Sequence, residues 1–225
     1  MRPSRLSLLF LLTVLLCTRQ AAAQDWSFRA TTGPVVFGKF ARQTSLVGIP
    51  GSGSRLTTSL SAAVRPGVAV DLQRELSGRW AFRLQGAFAQ APLSIKIGGR
   101  SGISLDTGKI NVTTITAPLV MHINRSGVVR LHVFGGPAYA IYDLQRTSGA
   151  SASRGLYEGA RGRFGLVGGG GIDWWVSKRF ALSGEIDDAI TSSPLHREEW
   201  STADSGVDIP RPQNVHTSAG IRWRF

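Results

Sequence analysis

Apolar and polar residues alternate along most of the chain with the period of two that is typical of β-strands. In residues 215–225, for example, Val215, Ile221 and Phe225 share one face of the predicted strand, while His216 and Arg222 share the other. This alternation predicts eight strands, near residues 25–38, 58–74, 80–91, 110–123, 128–144, 161–176, 180–190 and 215–225. We therefore expect an all-β chain.

The connections between these strands are alternately long and short. Turn-forming residues predict short turns at 75–79, 124–127 and 177–179. Long segments rich in Gly, Ser, Thr and Pro occupy 39–57, 92–109, 145–160 and 191–214. This order predicts an eight-stranded antiparallel transmembrane β-barrel with short periplasmic turns and four long surface loops.

Aromatic residues distinguish a membrane barrel from a soluble lipocalin-like barrel, whose apolar face would point inward. Five of the six tryptophans fall at strand ends that this topology places in the periplasm. A soluble core would scatter them, whereas lipid headgroups favour aromatic side chains at one level. The predicted periplasmic girdle comprises Trp26, Trp80, Trp174, Phe180, Trp223 and Phe225, and Trp175 is counted at the same level.

Charged residues occupy the opposite face of the strands and are expected to point into the lumen. These positions are Arg29, Arg65, Asp71, Arg83, Arg130, Asp173, Glu185, Asp187 and Arg222. Side chains fill the interior of an eight-stranded barrel, and unpaired buried charges cost several kcal/mol each, so the charges must pair.

The sequence therefore predicts a lumen polar network of Asp71, Arg83, Arg130, Glu185, Asp187 and Arg222. A tight turn centred on Ser77 would place Asp71 opposite Arg83. Glu185 and Asp187 are expected to pair with arginines drawn from Arg83, Arg130 and Arg222. Such a network would plug the barrel, and the alternative is a gated, narrow pore.

Motifs for catalysis or cofactor binding are weak. The four glycines at 168–171 lack the Lys-Ser/Thr of a phosphate-binding loop and are expected to thin a strand beside bulky lumen side chains. His216 and Ser218 have the His-x-Ser spacing of outer-membrane lipid A deacylases, but their face is expected to be the lumen. The sequence places no acid nearby to orient this histidine. We expect no catalytic residues, no metal site and no cofactor.

The first residues resemble a signal peptide, with a basic start, a short apolar run and an Ala21-Ala22-Ala23 cleavage site. Residues 1–23 are therefore expected to be cleaved, which would leave residues 24–225 as one barrel domain without the single cysteine, Cys17. The net charge is +12, but the arginines are dispersed along the strands, so no nucleic-acid partner is expected.

The topology, the girdle and the terminal Phe225 resemble the small outer-membrane β-barrel family, similar to the OmpA membrane domain, OmpX and the opacity porins. The resemblance implies the cell outer membrane, outer-membrane lipid and lipopolysaccharide as partners, and the barrel-assembly machinery during biogenesis. It also implies a non-enzymatic envelope role with interactions through the surface loops. A narrow channel for small solutes or ions is the alternative, and a lipid A-modifying enzyme a third hypothesis.

Overall fold

A computed structural model describes residues 26–46, 55–98, 103–124, 126–146, 158–196 and 206–225. These residues form one twelve-stranded antiparallel sheet. Its strands are β1 (Trp26–Phe37), β2 (Lys39–Leu46), β3 (Arg55–Ala62), β4 (Arg65–Glu75), β5 (Trp80–Ile97), β6 (Ile103–Thr116), β7 (Leu119–His122), β8 (Val129–Arg146), β9 (Gly159–Trp175), β10 (Phe180–Thr191), β11 (Gly206–Asp208) and β12 (Gln213–Arg224). In the described ranges, no helix has the length and apolar character needed to cross a membrane.

The sheet closes on itself because β1 pairs with both β4 and β12. Four stretches of the wall consist of two consecutive strands each, namely β1–β2, β3–β4, β6–β7 and β11–β12. The twelve strands thus build eight wall segments, which confirms the predicted eight-stranded antiparallel barrel. The end of the barrel with the short turns is called the turn end below, and the opposite end the loop end.

The first short turn is centred one residue later than predicted. Glu75 pairs with Ala81, so the centre of the hairpin is Gly78 and not Ser77. Ser77 instead stabilises the turn by accepting hydrogen bonds from the Trp80 N–H. Its carbonyl oxygen accepts at 3.2 Å and its Oγ at 3.3 Å. A shift of one residue in the turn centre changes every cross-strand partner in the hairpin by two.

The strands continue into segments that the sequence predicted as loops. The segment 39–57 contains β2, the segment 92–109 contains parts of β5 and β6, and the segment 191–214 contains β11. The predicted loops are longer than the observed ones because the polarity of the strand faces reverses here. Leu93 and Ile95 are buried inside the barrel, and Lys96 is exposed outside. Residues 47–54, 99–102, 147–157 and 197–205 of the predicted loops lie outside the described residues.

Proline interrupts the wall between β6 and β7. Pro118 has no N–H to donate, and the two strands end on either side of it. Its carbonyl oxygen still accepts a hydrogen bond from the Arg83 N–H at 3.0 Å, and Ala117 donates to the Pro137 carbonyl oxygen at 3.1 Å. The wall therefore remains bonded across the interruption.

The predicted signal peptide, residues 1–23, lies outside the described residues. The division of the chain at residues 23 and 24 stays a prediction.

Candidate functional site

The predicted girdle residues lie at the turn end. Trp80, Trp174, Phe180, Trp223 and Phe225 are each more than 40% exposed on the outer face. The Phe180 and Trp223 rings stack with their centroids 6.2 Å apart, and those of Trp223 and Phe225 are 4.7 Å apart.

Two tryptophans differ from this pattern. Trp26 is half-buried on the outer face, with the Arg74 guanidinium 5.5 Å from its ring centroid. Trp175 points inward. The Arg224 guanidinium lies over its ring, 4.1 Å from the ring centroid. Its inclusion in the girdle is wrong because its parity along β9 is that of the lumen residue Asp173.

Glu185 is the centre of the polar network in the lumen. Its carboxylate accepts hydrogen bonds from Arg29 Nη1 at 2.5 Å and Nη2 at 2.8 Å, and from Arg83 Nη1 at 2.8 Å. His132 Nε2 lies 3.1 Å from the same carboxylate, and Arg29 Nε donates to Asp71 at 2.5 Å. The five residues, called the central cluster below, are buried; two are arginines and two are carboxylates, so their formal charges balance.

The hairpin between β4 and β5 holds Arg83 in this cluster. Because of the shifted turn, Asp71 pairs with Gln85, and Arg83 pairs with Gln73. Gln73 Oε1 accepts hydrogen bonds from both Nε and Nη2 of Arg83 at 3.2 Å. The predicted opposition of Asp71 and Arg83 is therefore wrong, and their nearest charged atoms are 3.9 Å apart.

A second ion pair lies nearer the turn end. Asp173 Oδ1 accepts hydrogen bonds from Arg222 Nε at 3.2 Å and from Ser183 Oγ at 2.5 Å. His132 Nδ1 is 3.7 Å from Asp173 Oδ2, so this imidazole bridges the pair and Glu185 in the central cluster. The lumen is thus crossed by two connected layers of charge.

Two predicted members of the network are not joined to it. Asp187 pairs with His216, with Oδ2 and Nδ1 3.6 Å apart, and not with an arginine. The register of β10 and β12 places these two residues directly opposite each other, nearer the loop end than Glu185. Arg130 pairs in register with Asp173 but has its guanidinium over the Trp175 ring, 5.3 Å from the centroid, since Arg222 and Ser183 already bind that carboxylate.

Arg29 and His132 were outside the predicted network, although both belong to the central cluster. Their inward parity along β1 and β8 was visible in the sequence, and Arg29 was predicted to point into the lumen, but neither was placed in the network. Parity gives the face of the strand but not which residues on eight different segments meet at one level, so it left them unassigned.

Glycines on β9 make room for this cluster. A Cβ on Gly171 would lie 2.8 Å from His132 Nε2 and 2.7 Å from the Gly184 carbonyl oxygen. A Cβ on Gly169 would lie 2.6 Å from a ring carbon of Phe134. By contrast, a Cβ on the outward Gly168 would meet nothing closer than 3.8 Å. The inward glycines therefore leave space for two bulky lumen side chains.

At the loop end the lumen is filled by apolar side chains. They form one core cluster that includes Phe40, Leu60, Leu93, Ile110 and Tyr142, all at most 1% exposed. Leu195, in the segment after β10, is buried in this upper core. Arg163 Nε donates to the Ser193 carbonyl oxygen at 2.6 Å and holds that segment in place.

A cavity of about 40 Å³ separates the upper core from the central cluster. Three buried polar atoms of its lining residues have no hydrogen-bond partner among the described residues: Asp187 Oδ2, Asn214 Oδ1 and His216 Nε2. The volume has room for about one to three water molecules, which are the partners such atoms usually have.

Arg65 has the predicted inward parity, since it pairs with the buried Val35 of β1, but its side chain is exposed. The strand is interrupted at residues 63–64, and the last residue pair of β4 with β5 is Gly67 with Ala89. The gap between the two strands exposes the side chain of Arg65, which lines a crevice of about 580 Å³ at this gap, called the wall crevice below.

Residues 21–193 match the family model described as outer membrane protein beta-barrel domain. The chain belongs to this family. It is therefore a protein of the outer membrane. No curated protein matches the sequence.

Solved structures similar to this chain include two outer-membrane proteins. Outer membrane protein OprG from Pseudomonas aeruginosa shares 15% identity with a TM-score of 0.60, over 91% of this chain and 98% of that chain. Neisserial surface protein A shares 9% identity with a TM-score of 0.51, over 92% of this chain and 100% of that chain. At these identities the likeness concerns the fold alone.

Proposed function

We propose that the protein is a non-enzymatic structural barrel of the outer membrane, with a plugged lumen and surface loops that make its external contacts. The bond between Glu185 and Arg83 carries this proposal. Glu185 lies on β10 and Arg83 on β5, and these wall segments are four positions apart in a ring of eight. A hydrogen bond of 2.8 Å thus spans the lumen between opposite walls, which supports a plug at that level.

The upper core supports the same function, because it closes the lumen a second time. The cavity between the two closures holds about one to three water molecules and is too small for an organic solute.

The positions of His216 and Ser218 support a role without catalysis. Asp187 lies opposite His216, with Oδ2 3.6 Å from Nδ1, so the expectation that no acid is nearby is wrong, although the two make no hydrogen bond. Both His216 and Ser218 are nevertheless buried inside the barrel, at 5% and 6% exposure. A site that cleaves bilayer lipid must be reached from the bilayer, and these side chains face the other way.

We also propose how the protein reaches the membrane and which partners it has there. The protein reaches the outer membrane by means of a signal peptide at residues 1–23, and the barrel-assembly machinery inserts it. Its lasting partners are outer-membrane lipid and lipopolysaccharide, together with a ligand of the surface loops. The mass of the protein isolated from membranes tests the cleavage, because an intact leader would refute it.

Single-channel recording of the purified protein in planar bilayers tests the plug. We expect no conductance from the wild-type barrel and measurable conductance from Glu185→Ala, because Arg29 and Arg83 would repel each other and separate. Glu158→Ala is the matched control, since Glu158 is exposed and lies outside the lumen. Steady conductance of the wild-type protein would refute the proposal and favour the channel.

A further inference from the structure

The wall crevice is a gap in the barrel wall that opens to the lipid-facing side, where Val68 and Phe88 are exposed. It forms where β4 separates from β5 beyond the pair of Gly67 and Ala89. Apolar side chains line one part of it, notably Val68 and Phe88, which are 56% and 46% exposed. Two cations, Arg65 and Lys109, line the other part.

These two cations lack compensating charge. Both side chains are exposed, and neither has a hydrogen bond or ion pair with any residue that the structure describes. The carboxylate that faces outward on the neighbouring strand, Asp143, instead accepts hydrogen bonds from Asn111 and Gln145, each at 3.2 Å. The crevice therefore combines an apolar wall with two free positive charges.

Its height on the barrel matches the outer boundary of the bilayer. The girdle residue Trp80 and the crevice residue Gln90 are ten positions apart on β5. At about 3.4 Å per residue and a strand tilt of about 40°, this separation is about 26 Å along the barrel axis. The apolar band of such barrels is about 25 Å tall, so the cations lie at the level of the outer-leaflet headgroups.

We propose that the wall crevice binds one phosphorylated glycolipid of the outer leaflet, an inference that rests on the proposed partnership with outer-membrane lipid and names its site. Arg65 and Lys109 hold a lipid phosphate, for which the planar guanidinium of arginine offers two parallel donors. An acyl chain of the same lipid lies along Val68 and Phe88. The crevice thus fixes a lipid at one place on the barrel, whereas the rest of the apolar belt contacts lipid without such selection.

Titration of the purified full-length protein with lipid A, followed by native mass spectrometry, tests this site. We expect one lipid to be retained by the wild-type protein, and Arg65→Gln/Lys109→Gln to bind it at least tenfold more weakly. Lys178→Gln/Arg179→Gln removes the same charge from exposed positions at the turn end and should bind as the wild type does. Equal binding by the two double variants would overturn the proposal.

Two further titrations identify the source of the phosphate. Dephosphorylated lipid A should bind at least tenfold more weakly than lipid A, because the cations then lack their ligand. Inorganic phosphate in large excess should not displace the lipid, since it makes no contact with Val68 or Phe88. Displacement by inorganic phosphate, or equal binding of the dephosphorylated lipid, would refute a lipid-phosphate site. Unchanged heat-modifiable migration on gels shows that each variant is folded.

Discussion

The two halves of the barrel have opposite polarity, although the same strands run through both. Along the part of β5 near the turn end, Phe82 and Leu84 face outward and Arg83 is buried in the lumen. Farther along the same strand, Leu93 is buried in the lumen and Lys96 is exposed outside. Inward and outward side chains alternate along the whole of β5, but the inward face changes from polar to apolar and the outward face from apolar to polar.

The medium outside the wall explains this exchange. Lipid surrounds the half of the barrel at the turn end, called the lower half below. Its outer face must therefore be apolar, and polar side chains can be placed only in the lumen. Water surrounds the half at the loop end, called the upper half below. There the outer face is polar and the lumen is filled by an ordinary apolar core. One closed sheet therefore contains a membrane barrel and a small soluble-type barrel in series.

The largest loss of stability is expected from a charged side chain in the lumen of the lower half. Glu185→Ala leaves Arg29 and Arg83 buried without their shared carboxylate, so we expect a loss of about 3–5 kcal/mol in the free energy of unfolding. Urea unfolding in liposomes measures it. Glu158→Ala, at an exposed position, should cause no measurable loss. A similar result for both variants would mean that water hydrates the central cluster.

A pair of substitutions on β6 tests the difference between the two halves directly. Ile110 is 1% exposed in the upper core, and Ile115 is 46% exposed on the lipid-facing side. Ile110→Ala should lose about 2–5 kcal/mol, because it leaves a cavity among fixed neighbours. Ile115→Ala should lose less, since mobile lipid chains fill the vacated space. The same urea assay measures both, and a larger loss for Ile115→Ala would contradict the two-part barrel.

The smallest change in stability is expected from substitutions of the glycines on β9. Gly171→Ala places a methyl group against His132 and a backbone carbonyl, so we expect a loss of about 1–3 kcal/mol from overpacking. Gly168→Ala adds the same group on the outer face, where its nearest neighbour is 3.8 Å away. Thermal unfolding in detergent compares them. Equal stability of the two variants would show that His132 moves aside without cost.

Much of the lower half could be predicted from local pattern. The faces of the strands, the girdle positions around Trp80 and Trp223 and the burial of Glu185 follow from alternation of period two, which depends only on neighbouring residues. Part of the upper half was predicted as loops because a membrane barrel was expected to keep its apolar residues outside. Leu93 and Ile95 keep the alternation but on the other face, so a search for outward apolar residues passes over them.

The sequence by itself determined that the chain forms an eight-stranded barrel with charges inside and aromatic residues at the turn end. Only the tertiary structure decided that Glu185 binds Arg29 and Arg83, that Asp187 faces His216, and that Arg65 lies in the wall crevice. The physical reason is that a side chain's face is a local property of its strand. Its partners depend on the register of eight segments and on closure of the barrel, which pairs residues as far apart as Ser27 and Arg224.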